Sequence, residues 1–280
     1  MVAAALAAGW RPQAVFLREE AADELGERLG LTPPPAAPAA PAAEVGPTPA
    51  VFAVNDRVAA RISTLETPPD AVAVLPLPGR RPISSLLGPA RSPKTAALLR
   101  DDGAAAPVAD GSGLLLVYVD GVQDPGNVGT LLRAAAAFGA SAVVTSSGSA
   151  DLFGPKTVRA SMGALFALPV FPALPLADVT DQLPQATVYG LAAHGGTPLS
   201  AAALRRPAVL VVGAERAGLS AASLAHVGEL VSIPLSPAAS DAVESLNAGV
   251  AGAIALYEFS RRPAGAAEDP SRRAPAAQEG

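Results

Sequence analysis

The sequence predicts an α/β fold, a parallel sheet with helices on both faces, preceded by a smaller α/β unit. Three observations carry this. From Leu114 onward, short continuous apolar runs alternate with segments of helical spacing, the pattern of strands buried on both faces. Residues 1–31 and 51–77 hold shorter elements of the same two kinds. Thr32–Ala50, Gly103–Gly113 and Pro263–Gly280 are rich in proline, alanine or other small residues, and read as an insertion, part of a linker and a tail.

The elements follow in order. The first unit reads as a helix at 2–8, a strand at Ala14–Leu17 and a helix at 19–29. A strand at Val51–Val54, a helix at 55–62 and a strand at Ala71–Leu75 complete it. The second opens with the apolar strand Leu114–Val119. The helix Asn127–Phe138 follows, with apolar residues at 128, 131, 132, 135 and 138. Further strands fit Ala142–Thr145, Thr187–Ala192, Ala208–Val212 and Leu230–Ile233, with helices near 156–165, 219–226 and 244–260. The expected domains are 1–78, a linker at 79–113, a main domain at 114–262 and a tail at 263–280. Met1 leads straight into a helix, so the start is expected to be late and the first domain to lack an edge strand.

Composition removes several function classes. The 280 residues include no cysteine, which excludes disulfides, thiolate nucleophiles and Cys-ligated metal. His194 and His226 are too few for a His-rich cluster, so no metal is expected. Charged residues are only 16% and the formal net charge is −5, against a purely electrostatic nucleic-acid binder. No apolar run approaches the roughly 18 residues of a spanning helix, and no secretory signal is evident. A soluble cytoplasmic protein without a membrane partner is expected. One stretch runs against the acidic total: no acidic residue lies between Asp70 and Asp101, while Arg80, Arg81, Arg91, Lys94 and Arg100 do. It reads either as a solvated linker or as a strip that tracks phosphates.

Ligands of open parallel sheets bind outside the carboxyl ends of the strands. Three blocks begin there. In Asp120-Gly-Val-Gln-Asp-Pro-Gly-Asn127-Val-Gly-Thr-Leu-Leu-Arg133, a turn enters a helix for which Asn127 is a plausible N-cap. Leu131, Leu132, Ala135 and Phe138 face the core, and Gly126, Gly129, Thr130, Arg133 and Ala137 form a small-residue face. Arg133 there suits a phosphate or a carboxylate. In Val212-Gly213-Ala-Glu215-Arg-Ala-Gly218-Leu219, Gly213 allows close backbone approach to a ligand and Gly218 a tight return. In the third block, Ile233-Pro234-Leu235 precedes Glu244-Ser245-Leu246-Asn247, where Ser245 reads as an N-cap and Asn247 as a first-turn residue. A fourth stretch, Lys156-Thr-Val-Arg159-Ala-Ser-Met-Gly163, sets Lys156 and Arg159 on one helix face. Each block taken singly fits an ordinary turn or capped helix.

Together, in this order and spacing, they resemble the three signature motifs of the SpoU (TrmH-like) RNA ribose 2′-O-methyltransferases. The fourth stretch resembles that family's Lys-x-x-Arg-Ala-Ser-x-Gly segment, and the resemblance spans about Leu114–Ser260. Residues 51–77 resemble the family's ribosomal-protein-like substrate-binding domain. The resemblance implies a knotted α/β domain, a homodimer and S-adenosyl-L-methionine as cofactor. It implies that Gly213, Ile233 and Leu246 hold the cofactor and that Asn127, Arg133, Glu215, Ser245 and Asn247 form the catalytic constellation. Arg80, Arg81, Lys156 and Arg159 are then expected to contact RNA.

The implied reaction is attack of a ribose 2′-hydroxyl on a sulfonium methyl, which needs no metal. Arg133 stays protonated, so its expected work is to clamp a phosphate and stabilise alkoxide charge. Glu215 would orient Arg133 or Asn127. Ribosomal RNA is the expected substrate. The alternatives are a tRNA 2′-O-methyltransferase and an RNA-binding assembly factor with a decayed site. A Rossmann enzyme lacks support, because no G-x-G-x-x-G follows the first strand. Two departures from the family pattern bear on pocket shape: the long stretch between Ile233 and Ser245, and Ala248-Gly249 in place of a bulkier pair.

Overall fold

A computed structural model describes residues 1–31, 49–79, 81–87, 113–236 and 245–262. The body of the proline- and alanine-rich insertion, Arg80, most of the linker, part of the 233–245 stretch and the tail lie outside the described residues.

The first unit is a three-stranded sheet in the order β2-β1-β3. Its strands are β1 (Ala14–Arg18), β2 (Ala50–Val54) and β3 (Ala71–Val74), with α1 (Val2–Ala7), α2 (Ala22–Leu29) and α3 (Asp56–Ile62) around them. β1 pairs in parallel with β2 and antiparallel to β3. Val15, Leu17, Leu25 and Val51 close its small core. At the end of β1, the Arg18 guanidinium donates to Asp56 at 2.9 Å and Asp70 at 3.0 Å, joining helix and loop to the strand.

The second unit is a seven-stranded sheet, β6-β5-β4-β9-β7-β10-β8, with every pairing parallel. Its strands are β4 (Leu115–Asp120), β5 (Ala142–Thr145), β6 (Val170–Phe171), β7 (Thr187–Ala192), β8 (Thr197–Pro198), β9 (Ala208–Gly213) and β10 (Glu229–Ser232). Its helices are α4 (Pro125–Ala137), α5 (Pro155–Ala160), α6 (Ala164–Ala167), α7 (Leu176–Gln182), α8 (Ala221–Leu224) and α9 (Ala248–Ser260). All six residues of β4 are buried, because its alternating side chains enter two cores. Leu115, Val117 and Val119 face the layer holding α4 and α9, while Leu116 and Tyr118 face that of α7.

The structure corrects the expectations in several places. The helix at 156–165 is two helices, α5 and α6, split at Ser161–Gly163, where Met162 (φ 50°) and Gly163 (φ 96°) turn left-handed. β6, α7 and β8 were not anticipated: two are two-residue strands, and one of these contains Pro198. The linker is not wholly detached, since Ile83 is fully buried in the α7-side core.

The two units touch through specific groups. Trp10 Nε1 donates to the Phe166 carbonyl at 3.2 Å, with the rings edge to face at 5.3 Å. Arg159 donates to Thr64 Oγ1 at 3.0 Å. Between α4 and α5 the approach is closer still, for Gly129 lies against Ala160 and Ser161 so tightly that a Cβ there would overlap the Ala160 side chain. Gly129→Val is therefore expected to cost about 1–3 kcal/mol, the range for an overpacked core. Urea unfolding with an unchanged m value checks it.

Candidate active site

The carboxyl ends of β4, β7, β9 and β10 lie side by side, since these strands run parallel. The loops leaving β4, β9 and β10 carry the three sequence blocks, so one crevice receives all of them.

Two helix starts frame it. Asp124 caps α4, accepting from the Gly126 N–H at 2.6 Å and the Asn127 N–H at 3.1 Å, with Pro125 in the first turn. Asn127 is therefore not the N-cap. One residue cannot supply both the cap and the third helical position, and Asp124 takes the cap. The Asn127 side chain is free to point elsewhere. At α9 the cap is Asn247, accepting from the Val250 N–H at 3.1 Å, and Ser245 lies before the helix as an exposed residue.

Both freed amides meet Glu215. Asn127 Nδ2 donates to Glu215 Oε1 at 2.8 Å, and Asn247 Nδ2 donates to the same oxygen at 2.5 Å. Asn247 Nδ2 also approaches Asn127 Oδ1 at 2.8 Å, and the Ala248 N–H points at Glu215 Oε1 from 3.4 Å. The carboxylate thus sits where two 13-residue helices begin, the favourable end of both macrodipoles. An oxygen holding this many donors is a fixed joint between the two helix starts.

The turn bearing Glu215 is pinned at both ends. Ala214 and Gly218 exchange main-chain hydrogen bonds at 2.8 and 3.1 Å. The Gly213 Cα lies so near the Gly218 carbonyl that any Cβ would collide with main chain. Gly213 is required first by this turn, a different reason from the ligand approach expected of it. At the far end, the buried Asp120 accepts from the Ser220 N–H at 2.7 Å, tying the turn to the exit of β4. Nearby, burial first, with help from the Asp120 charge, pushes the Tyr118 phenol up to about 12, so it stays neutral.

Arg133 stands apart. It is exposed on α4 and makes no hydrogen bond or ion pair with any described residue. Six residues separate it from Asn127, roughly 9 Å along the axis and a third of a turn around. Glu215 consequently orients Asn127 and not Arg133. The small-residue face is closed at Gly129, because Ala160 covers it. Ile233 and Leu246 are half-buried apolar side chains at the exit of β10 and the entry of α9.

The expected RNA contacts divide. Lys156 is exposed on α5 beside Arg159. Arg81 lies 5.2 Å over the Phe171 ring, whose side chain belongs to the core on the opposite face of the sheet. The structure does not gather Arg81 with Lys156 and Arg159, and Arg80 lies outside the described residues. Two cations escaped notice, Arg57 and Arg61, exposed one turn apart on α3 just before Thr64. Their spacing of four within a helical segment was the available signal. Among the described residues, no group of three or more metal-ligating side chains is placed to hold a metal ion. No helix among them is long and apolar enough to cross a membrane.

Comparison with known proteins bears on this arrangement. A family model described as the SpoU rRNA Methylase family matches residues 114–257. The chain is 40% identical over 146 residues to the Bacillus subtilis 23S rRNA guanosine 2′-O-methyltransferase RlmP, covering 51% of this chain and 57% of that protein. It is 31% identical over 204 residues to a 23S rRNA uridine 2′-O-methyltransferase of Streptomyces viridochromogenes, covering 70% and 62%. The chain therefore spans about three fifths of the length of these relatives. Among solved structures, a putative TrmH-family RNA methyltransferase from Porphyromonas gingivalis superposes with a TM-score of 0.66 at 29% identity, covering 94% of this chain and 87% of that one. The SpoU methyltransferase AviRb from Streptomyces viridochromogenes, solved with AdoMet, gives 0.66 at 25% identity, covering 93% and 86%.

Asn127→Asp would set two carboxylates about 3 Å apart at the centre of the crevice. It is expected to destabilise the protein by about 1 kcal/mol through like-charge repulsion and a lost donor. Adding Glu215→Gln to that variant should recover part of the loss, since an amide donor then faces the new carboxylate. Thermal unfolding of the two single variants and the double variant checks the sign of the coupling.

Proposed function

The chain belongs to the SpoU rRNA methylase family, and from that premise we propose that it transfers a methyl group from S-adenosyl-L-methionine to a ribose 2′-hydroxyl of ribosomal RNA. The observation that carries the proposal is the convergence of three distant segments on Glu215 Oε1 in the crevice at the strand ends. The names of the relatives support 23S rRNA as the substrate over tRNA.

The residues fit such a cofactor by the chemistry of their groups. Ile233 and Leu246 offer apolar surface for an adenine, and the peptide groups of 233–236, outside any strand, offer donors and acceptors. When bound there, the cofactor supplies an electrophilic methyl group and leaves as a neutral thioether. Everything else falls to the protein. Asn127 and Asn247, locked by Glu215, hold the sugar edge, and Ser245, two residues before Asn247, assists. Arg133, which bonds to no described residue, clamps the neighbouring phosphate and stabilises alkoxide charge as the hydroxyl attacks. The proton leaves to a phosphate oxygen or water. Lys156 and Arg159, with Arg57 and Arg61 of the first unit, continue a positive path for the strand.

A knotted chain path and a homodimer belong to this reading. For the first, α9 returns to pack on α4 and β9, and Arg262 at its end bonds the carbonyls of Leu199 and Ala202. For the second, Val250, Ile254 and Tyr257 form a stripe on α9 that is 47%, 37% and 49% exposed. A second copy covering that stripe removes a continuous apolar surface from water. Cytoplasmic placement follows from the substrate.

Three measurements test these points. Calorimetric titration should show that the wild-type protein and Arg133→Ala bind S-adenosyl-L-methionine alike. Single-turnover transfer to transcribed 23S rRNA should fall by about 10²–10³ in Arg133→Ala, and strongly in Arg133→Lys, which lacks the bidentate fork. Absence of cofactor binding by the wild type, or near-normal turnover by Arg133→Ala, overturns the assignment. For the dimer, Ile254→Glu should shift the mass by light scattering from two chains to one.

A further inference from the structure

The loop between α5 and α6 holds its backbone in an uncomfortable state. Ser161 is fully buried and its hydroxyl donates to the Val158 carbonyl at 2.7 Å. Met162 follows at φ 50°, a left-handed conformation costing about 1–2 kcal/mol for a residue with a side chain. Glycine would adopt it freely. Main-chain bonds hold the turn, the Met162 N–H donating to the Arg159 carbonyl and the Ala164 N–H to the Ser161 carbonyl, both at 3.0 Å, while the Met162 side chain, 70% exposed, adds little packing of its own. A flexible apolar side chain is thus held rigidly outward at the expense of stability, and such outliers concentrate at functional positions.

The place of the loop in the fold narrows what an exposed side chain there can meet. A Cβ on Gly129 would come within 2.9 Å of the Ser161 nitrogen, so the loop lies directly on α4, two residues from Asn127 and one turn from Arg133. Lys156 and Arg159 stand on the helix just before it, and Arg159 reaches Thr64 of the first unit. An exposed polarisable apolar side chain, on a loop that follows Lys156 and Arg159 and packs on the helix carrying Arg133, matches one chemistry, a flat aromatic face with anionic groups beside it. An unstacked nucleotide in a single strand has that form.

We propose that Met162 is a platform for a nucleobase of the RNA substrate next to the methylated ribose, with Arg133, Lys156 and Arg159 meeting the flanking phosphates. This rests on the reading of the chain as an RNA methyltransferase. Met162 acts as a positioning residue: it contacts the base and not the reacting atoms, so its loss should appear in RNA KM and not in cofactor affinity.

Met162→Gly separates the platform from the fold, because it removes the contact and the strain together. Its thermal midpoint is expected to equal or exceed wild type, with S-adenosyl-L-methionine binding unchanged and KM for transcribed 23S rRNA raised about two- to tenfold. Met162→Leu, which keeps an apolar side chain, should retain most of the wild-type KM. Oxidation gives a second readout independent of turnover. The chain has two methionines, so peptide mass spectrometry follows Met162 by itself, and the transcript should slow its conversion to the sulfoxide by peroxide. A wild-type KM in Met162→Gly, or oxidation indifferent to the transcript, overturns the platform even where the wild type methylates RNA. Failure of the wild type to bind cofactor or methylate any RNA overturns the functional reading instead, and the oxidation measurement still judges the contact.

Discussion

One carboxylate oxygen holds the working part of the molecule together. Glu215 Oε1 accepts from Asn127 and Asn247 and faces the Ala248 N–H, so it joins the turn after β9 to the starts of α4 and α9. Each partner is committed at that point, and the two asparagines also meet each other, Asn247 Nδ2 lying 2.8 Å from Asn127 Oδ1. Asn127 has been released from capping by Asp124, and Asn247 spends its oxygen on the Val250 N–H and its amide on Glu215. The main chain around them is equally constrained, with Gly213 pressed against Gly218 and Asp120 holding Ser220. Preorganisation of this kind is what a positioning reaction demands, since little covalent chemistry is left for the protein to perform.

The sheet explains why three distant segments meet. Parallel strands buried on both faces present all their carboxyl ends on one edge, and β4, β9, β7 and β10 are consecutive neighbours there. The order of the strands is not their order in the chain, so loops after residues 120, 213 and 232 converge without being adjacent in sequence. Helices α4 and α9 then pack together on one face, with Phe138 and Tyr257 edge to face at 5.7 Å.

Much of this was legible beforehand, and the exceptions have physical causes. Strand ends such as Ala142–Thr145 and Thr187–Ala192 agree to the residue, because apolar runs in a doubly covered sheet start and stop sharply. Caps were less legible. Asp124 and Asn127, or Ser245 and Asn247, are both competent cap residues, and only the packing of α4 and α9 decides between them. The split at Ser161–Gly163 breaks no apolar period, so spacing alone favoured one helix. The five candidate catalytic residues came from motif resemblance, which named them without their partners. That Glu215 binds two asparagines while Arg133 bonds to no described residue is a tertiary fact.

Trp10 is the chain's single tryptophan. It sits at the joint between the two units, its indole N–H on the Phe166 carbonyl and its ring edge-on to Phe166. The protein therefore carries a built-in optical reporter for that joint, since no other indole contributes to its fluorescence. Any rearrangement of the small unit against α6, on meeting nucleic acid or on heating, alters the polarity and hydrogen bonding around this one chromophore. The emission maximum then follows the joint in the unlabelled protein, separately from signals that report on the sheet.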